Sequence, residues 1–187
     1  MSDSTQQLYE QMLVLRSQIG DETAFEELVK LYGPHLLLFT RKMLASAQDQ
    51  IEDVTQETWL SIYRGLPKLR DASKFRPWAF RIARDRIYRE YRRRKLPVTT
   101  VDDNVSAEIP ETTDATFGID LESVQSGLAL IPPEQRETLV LRFFEEISYE
   151  DIARVTNCTI GTVRSRIHYG KRALKEALER NKYEPGN

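Results

Sequence analysis

Only one cysteine, Cys158, occurs among the 187 residues. That excludes a disulfide framework within the chain and any Cys-x-x-Cys metal pattern, and it fits a reducing compartment. His168 has no Cys or Asp cluster beside it, so no zinc site is expected there, and no other metal or cofactor either. No stretch approaches the roughly 20 apolar residues of a membrane span. The opening residues Met-Ser-Asp-Ser-Thr-Gln-Gln lack the basic start and apolar run of a secretory signal. The expectation is a soluble, cytoplasmic protein. Strong periodicity near two residues is missing as well. Every strong apolar period lies near 3.6, which makes the expected fold class all-α.

Charge is present in quantity but unevenly spread. The formal net charge is only −2, so the chain as a whole is not a basic polyanion binder. Residues Arg64 to Lys95, however, hold thirteen Lys/Arg against three Asp/Glu, a local net of +10 that leaves −12 on the remainder. Residues Ile160 to Lys182 hold seven Lys/Arg against two Glu. Two basic islands in an acidic chain look like two separate contacts with one polyanion.

Apolar spacing predicts a first amphipathic helix from Leu8 to Ile19, ending at Gly20. Asp21 is placed to cap a second, with Gly33-Pro34 expected to kink or briefly break it. Asp49 and Glu52 have capping-box spacing ahead of a helix carrying Val54, Trp59, Ile62 and Tyr63, which stops near Gly65 and Pro67. A further helix runs from about Ser73 to Lys95, with Pro77 tolerated in its first turn. Pro97 to Asp120 then has six carboxylates, no Lys or Arg, two prolines and five threonines. That is linker composition, and it divides the chain into a domain over residues 1–96, a flexible linker over 97–120 and a domain over 121–187. Helices resume at Leu121 to Leu130 and again from Pro132-Pro133.

The last third carries Ser148-Tyr-Glu-Asp-Ile-Ala-Arg-Val-Thr-Asn-Cys-Thr-Ile-Gly-Thr-Val-Arg-Ser-Arg-Ile-His168. Ser148 caps one helix and Thr159 the next, the layout of a helix-turn-helix whose second helix enters a DNA major groove. On that helix Ile160, Val163, Ile167, Leu174, Ala177 and Leu178 form an apolar stripe. Arg164, Ser165, His168, Lys171, Arg172 and Lys175 lie largely off it. Gly161 and Thr162 are small enough for close approach to a phosphate at the helix N-terminus. Arg164 and Arg166 have the fork geometry for guanine or phosphate. Cys158 falls where such a turn takes a small packed residue.

The helix of the first island divides similarly. Phe75, Ala79, Ile82, Ala83, Ile87 and Tyr91 fall on one side. Pro77, Arg81, Arg84, Asp85, Tyr88, Arg92 and Lys95 fall on the other, with Trp78 at the border. Arginines interleaved with exposed aromatics suit unpaired bases, which stack on rings at about 1–3 kcal/mol each. Trp78 and Tyr88 have a second reading, as the edge of a core. Arg92-Arg93-Arg94-Lys95 reads as a solvated run and phosphate anchor.

Taken in order, Gly20-Asp-Glu-Thr-Ala-Phe25, Asp53-Val-Thr-Gln-Glu-Thr-Trp59, Phe75-Arg-Pro-Trp-Ala-Phe-Arg-Ile-Ala-Arg84, Leu130-Ile-Pro-Pro-Glu-Gln-Arg136 and Gly161-Thr-Val-Arg-Ser-Arg166 resemble the extracytoplasmic-function sigma factors of bacterial RNA polymerase. The resemblance implies a promoter-specificity subunit with no cofactor, usually held by an anti-sigma factor. It assigns Asp53, Gln56 and Glu57, one helical turn on one face, to the clamp helices of core polymerase. It assigns Phe75, Trp78, Arg81, Arg84, Asp85, Tyr88 and Arg92 to reading and melting the minus-ten element, and the loop near Lys68 to Lys74 to a flipped base. The last helix falls to the minus-thirty-five element, through Thr162, Arg164, Ser165, Arg166, His168, Lys171 and Arg172, and its domain also touches the polymerase flap.

Two positions depart from the family pattern. Asp85 replaces a common Asn, and Tyr169 stands where many relatives are basic. A fully extended 24-residue linker reaches roughly 80 Å at ~3.3 Å per residue, enough for elements about 70 Å apart at ~34 Å per turn. Its carboxylates suit a positively charged channel or a mask over the basic faces. A stand-alone helix-turn-helix regulator would leave the Asp53/Gln56/Glu57 face and the Trp78/Tyr88 helix without a purpose. A nuclease would need clustered carboxylates for a metal, and a plain helical interaction protein would not need two basic islands.

Overall fold

The computed structural model describes residues 3–45, 47–94 and 121–183, and every regular element among them is helical. The chain forms two compact units, Met1–Arg94 and Lys95–Asn187. The stretch Pro97 to Asp120, Lys95, and the closing Glu-Pro-Gly-Asn lie outside the described residues.

In the first unit α1 spans Asp3–Gln18, α2 Glu22–Met43, α3 Ile51–Gly65 and α4 Phe75–Arg93. Helix α1 starts five residues before Leu8, because its polar first turn has no apolar period to announce it. It buries Leu13 and Val14 against α2, while Leu8, Met12, Leu15 and Ile19 stay exposed. Gly20 turns the chain at φ 90°, a conformation glycine adopts without a Cβ clash. Asp21 then caps α2 as expected, accepting the Ala24 N–H at 3.0 Å and Arg16 Nε at 2.8 Å. The N–H bonds first, and then Arg16, hold its carboxyl below the usual range.

Of the kink or brief break expected at Gly33-Pro34, the break does not occur; α2 continues through Pro34. An interior proline costs about 3 kcal/mol. Leu28, Tyr32, Leu36, Phe39 and Met43, all buried along one face of α2, gain about 1.5–3 kcal/mol each by burial, and packing wins. The Asp49–Glu52 capping box is also not formed. Asp49 lies in a short 3-10 turn, Gln48–Gln50, and Gln50 stands at the α3 start with no side-chain cap bond. The Asp49 carboxylate instead accepts Arg94 Nη2 at 2.6 Å. There the carboxylate faces a full cation rather than the partial charge of a backbone N–H.

Helix α3 ends at Gly65, where a Cβ would stand 2.9 Å from the Trp78 ring. Gln18 Nε2 donates to the carbonyls of Leu66 (3.0 Å) and Leu69 (2.6 Å), fixing the following turn to α1. Asp71 caps a 3-10 turn, Ala72–Lys74, so α4 proper opens at Phe75 rather than Ser73. Its inner face is Phe75, Ala79, Phe80, Ala83, Ile87 and Tyr91. Phe80 meets Phe39 edge-on at 5.4 Å and replaces Ile82, which is only half-buried.

In the second unit α5 spans Leu121–Leu130, α6 Pro133–Leu139 with a π turn at Val140–Phe144, α7 Tyr149–Thr156 and α8 Ile160–Tyr183. Helix α8 packs on α5, α6 and α7. Arg136 Nη2 donates to the carbonyls of Ala129 (2.8 Å) and Ile131 (3.1 Å), closing the end of α5. Gly170 lets α8 approach α6: a Cβ there would meet Leu139 side-chain atoms at 3.1 and 3.2 Å and Gln135 Cβ at 3.3 Å. Gly170→Val is therefore expected to destabilise the protein by roughly 1–3 kcal/mol through overpacking. A lowered thermal midpoint checks it.

Candidate nucleic-acid interface

The helix-turn-helix is built as its caps predict. Ser148 Oγ accepts the Asp151 N–H and donates to Asp151 Oδ2, both at 3.1 Å. Asn157 closes α7 in the left-handed region at φ 54°. Thr159 Oγ1 accepts the Thr162 N–H at 3.1 Å and shares a hydrogen bond with the Thr162 hydroxyl at 2.9 Å, so Thr162 is already engaged in the cap. Cys158 is half-buried in the turn, its sulfur 3.1 Å from the Thr156 hydroxyl.

Helix α8 buries Val163, Ile167, Gly170, Ala177 and Leu178. Ile160 was expected in that stripe but is 38% exposed. It is the first residue of α8, with no preceding turn to cover it. Across the helix Arg164 and Arg172 are exposed, and Thr162, Ser165, Arg166, His168, Tyr169 and Lys171 are half-buried. Arg172 pairs with Glu176 at 3.0 Å. Ser165 Oγ donates to the Thr162 carbonyl at 2.9 Å, which leaves the hydroxyl lone pairs for a base. Lys171 Nζ sits 4.7 Å from the centroid of the Phe143 ring, a cation–π seat that fixes where the ammonium points. The His168 and Tyr169 rings meet edge-on at 5.3 Å. Of the two exposed arginines on this face, Arg172 is paired with Glu176, and Arg164 has no carboxylate partner among the described residues. Arg166 is partly withdrawn into the unit, with its Nε buried.

In the first unit Asp53, Gln56 and Glu57 are all exposed on one face of α3. Glu57 also takes an ion pair from Arg86 at 3.4 Å, while Arg86 Nη2 donates to Ser61 at 2.7 Å. Arg86 thus belongs to the α3–α4 contact rather than to the basic surface.

The exposed residues of α4 are Arg81, Asp85, Arg89, Arg92 and Arg93, and the first four form one line along the helix. Two sequence expectations change here. Tyr88 is not an exposed stacking ring: it is 8% exposed, covered by the Arg84 guanidinium 4.4 Å above it and by Tyr91 at 5.5 Å. Phe75 is 2% exposed and packs on Tyr32 at 5.1 Å. Both rings shape the helix rather than face a base. Arg84 is half-buried by the same stacking and lies 3.8 Å from Asp85. Trp78 is half-buried, against Gly65 on one side and Phe75 at 6.0 Å on another. Arg89 was missed by sequence reasoning, although its position, four residues after Asp85 and three before Arg92, marks it as part of the line.

The described part of the arginine run, Arg92 to Arg94, is not uniformly free of partners either. Arg93 donates to Glu90 through Nε (2.7 Å) and Nη2 (2.9 Å) and to Gln50 Oε1 at 3.0 Å. Arg94 Nε reaches Glu90 at 2.7 Å and its Nη2 reaches Asp49. The Arg93 bond, opposed by burial and reinforced by Arg94, keeps the Glu90 carboxyl below the usual range, and Arg94 does the same for Asp49. Among the described residues no group of three His, Cys, Asp or Glu is placed to hold a metal ion, and no helix is long and apolar enough to cross a membrane.

A capped helix-turn-helix with a basic second helix in one unit, and an arginine line beside a polar face in the other, define a two-unit helical DNA-binding protein. Residues 28–96 match the Sigma-70 region 2 family and residues 121–174 the Sigma-70, region 4 family. The chain is 36% identical to an RNA polymerase sigma-H factor of Pseudomonas aeruginosa, over 91% of this chain and 94% of that one. It is 31% identical to an ECF RNA polymerase sigma-E factor of Escherichia coli, over 94% and 97% of the two chains. Its fold is similar to that of a sigma factor from Bartonella quintana solved with an anti-sigma factor, with a TM-score of 0.66 at 29% identity, covering 83% of this chain and 96% of that one. The chain belongs to the sigma-70 family of transcription initiation factors, within its extracytoplasmic-function group.

Proposed function

We propose that this sigma factor directs core RNA polymerase to a specific set of promoters by a division of labour between its two units. Asp53, Gln56 and Glu57 dock on the clamp helices of the polymerase. The line Arg81, Asp85, Arg89 and Arg92, with Trp78 and the loop from Lys68 to Lys74, engages the minus-ten element as it melts. Helix α8 reads the minus-thirty-five element through Arg164, Ser165, His168 and Lys171, and its unit meets the flap. Residues 97–120 tether a domain of residues 1–96 to one of residues 121–187. An anti-sigma factor holds the protein inactive in the cytoplasm, as the complex of its Bartonella relative suggests by analogy. The protein breaks no bond itself and borrows the polymerase active site.

The observation that carries this reading is the coexistence, in one chain of this family, of an exposed polar face on α3 with two basic surfaces on α4 and α8. A lone DNA regulator has no use for the first. The free protein is expected to bind duplex DNA weakly, with affinity falling steeply as salt rises. Fluorescence anisotropy on a promoter fragment, with and without core polymerase, checks this. Tight, salt-insensitive binding by the free protein would favour a stand-alone regulator.

A further inference from the structure

Two of the cations in the first basic island are held in an ionic clasp. The Glu90 side chain is 9% exposed and sits between Arg93 and Arg94. Arg93 grips it with two parallel bonds, Nε to Oε2 at 2.7 Å and Nη2 to Oε1 at 2.9 Å, the bidentate fork that only arginine forms. Arg94 shares the same carboxylate at 2.7 Å and extends to Asp49 at 2.6 Å. Arg93 also reaches Gln50. Asp49 and Gln50 belong to the 3-10 turn that opens α3, so the end of α4 is bolted to the start of the helix that carries Asp53, Gln56 and Glu57.

An isolated surface ion pair is worth about 0–1 kcal/mol and yields readily to a competing phosphate. This arrangement is different. One carboxylate is nearly buried, one pair is bidentate, and the four charges form a network whose partners restrain each other. For a phosphate to draw Arg93 away, the nearly buried Glu90 would have to give up its bidentate partner and keep only the single bond from Arg94, a larger loss than a surface pair returns. Arg89 and Arg92 are exposed, as Arg93 also is, but unlike Arg93 and Arg94 they have no carboxylate partner among the described residues.

We propose that Arg93 and Arg94 are positioning residues rather than DNA contacts. They fix α4 to the start of α3, so that the arginine line and the polymerase-docking face hold one geometry, and the phosphate charge at this end of α4 comes from Arg89 and Arg92. The inference rests on the reading of α4 as the minus-ten helix.

The test is the salt dependence of promoter binding by holoenzyme reconstituted from core polymerase and the full chain. Each phosphate contact contributes about 0.9 to the slope of log affinity against log salt on duplex DNA, and about 0.7 on single strands. Arg89→Gln and Arg92→Gln are each expected to lower the slope by about that amount and to leave thermal unfolding of the free chain unchanged. Arg93→Gln and Arg94→Gln are expected to keep the slope and to lower the unfolding midpoint. Arg94→Lys, which keeps the charge but loses the planar guanidinium that spans Glu90 and Asp49, should lower the midpoint as well. Glu90→Gln releases Arg93, so adding Arg93→Gln in that background should now reduce the slope. A slope loss in Arg93→Gln or Arg94→Gln equal to that in Arg92→Gln overturns the inference. If none of the four single Gln variants at 89, 92, 93 and 94 changes the slope, the assignment of α4 to DNA fails, and the inference falls with it.

Discussion

Alanine at Asp53, Gln56 and Glu57 together is expected to abolish transcription by the holoenzyme while leaving the protein folded. The three side chains point to solvent from one face of α3. Their truncation removes no core atom: the neighbours that hold α3 are Ile51, Val54, Thr58 and Ile62. Among the described residues the tertiary tie lost is the Glu57–Arg86 pair at 3.4 Å, and Arg86 keeps its bond to Ser61. A surface pair of this kind is worth about 0–1 kcal/mol. At an interface the same residues count for more. A central anchor of an interface costs about 2 kcal/mol or more on truncation, so loss of this face weakens docking by at least that amount, a factor of about 30 or more. Co-elution with core polymerase on a sizing column, beside a circular dichroism melt of the free variant, checks both halves. A variant that still co-elutes at the wild-type concentration would remove α3 as the docking face.

Arg164→Ala is expected to cost promoter recognition about 1–3 kcal/mol, roughly 5- to 150-fold, and only on promoters that carry the upstream element. Arg164 is the exposed arginine in the first turns of α8, past a cap that spends the Thr159 and Thr162 hydroxyls on each other. Its guanidinium is the donor best placed for a guanine edge. Arg166 was given equal standing by sequence alone, yet it is half-buried with its Nε inside the unit. Arg166→Ala should therefore act mainly through stability. Binding measured on matched fragments with and without the upstream element separates the two: Arg164→Ala loses the preference, and Arg166→Ala keeps it at a reduced folded fraction. Equal loss on both fragments from Arg164→Ala would mean that it holds phosphate, not a base.

The positions of the helices among the described residues, the caps at Asp21, Ser148 and Thr159 and the helix-turn-helix were legible because each rests on local chemistry: a short polar side chain, an apolar period, a residue able to take a left-handed turn. The errors fall where a distant partner outbids the local one. Asp49 looked like a cap until Arg94, 45 residues away, claimed its carboxylate. Pro34 offered a kink or a brief break, and the buried stripe on either side of it keeps the helix unbroken. Tyr88 faced outward on a helical wheel, yet Arg84 and Tyr91 cover its ring. A wheel locates a direction from the axis and not what stands there. The buried polar residues of α6, Glu137 and Thr138 at 0% exposure among them, were invisible for the same reason. Within the candidate surfaces the sequence located both basic helices and the α3 face, and the structure redistributed weight among their side chains, from Tyr88 to Arg89 and from Arg166 to Arg164.

The most direct test of the central claim is in vitro transcription on bacterial genomic DNA with core RNA polymerase, followed by mapping of the RNA 5′ ends. The account predicts a discrete set of new start sites in the presence of this protein. They should share one element about ten base pairs upstream and another about thirty-five, and they should be absent with the Asp53/Gln56/Glu57 alanine variant. A pattern of starts identical with and without the protein would contradict it.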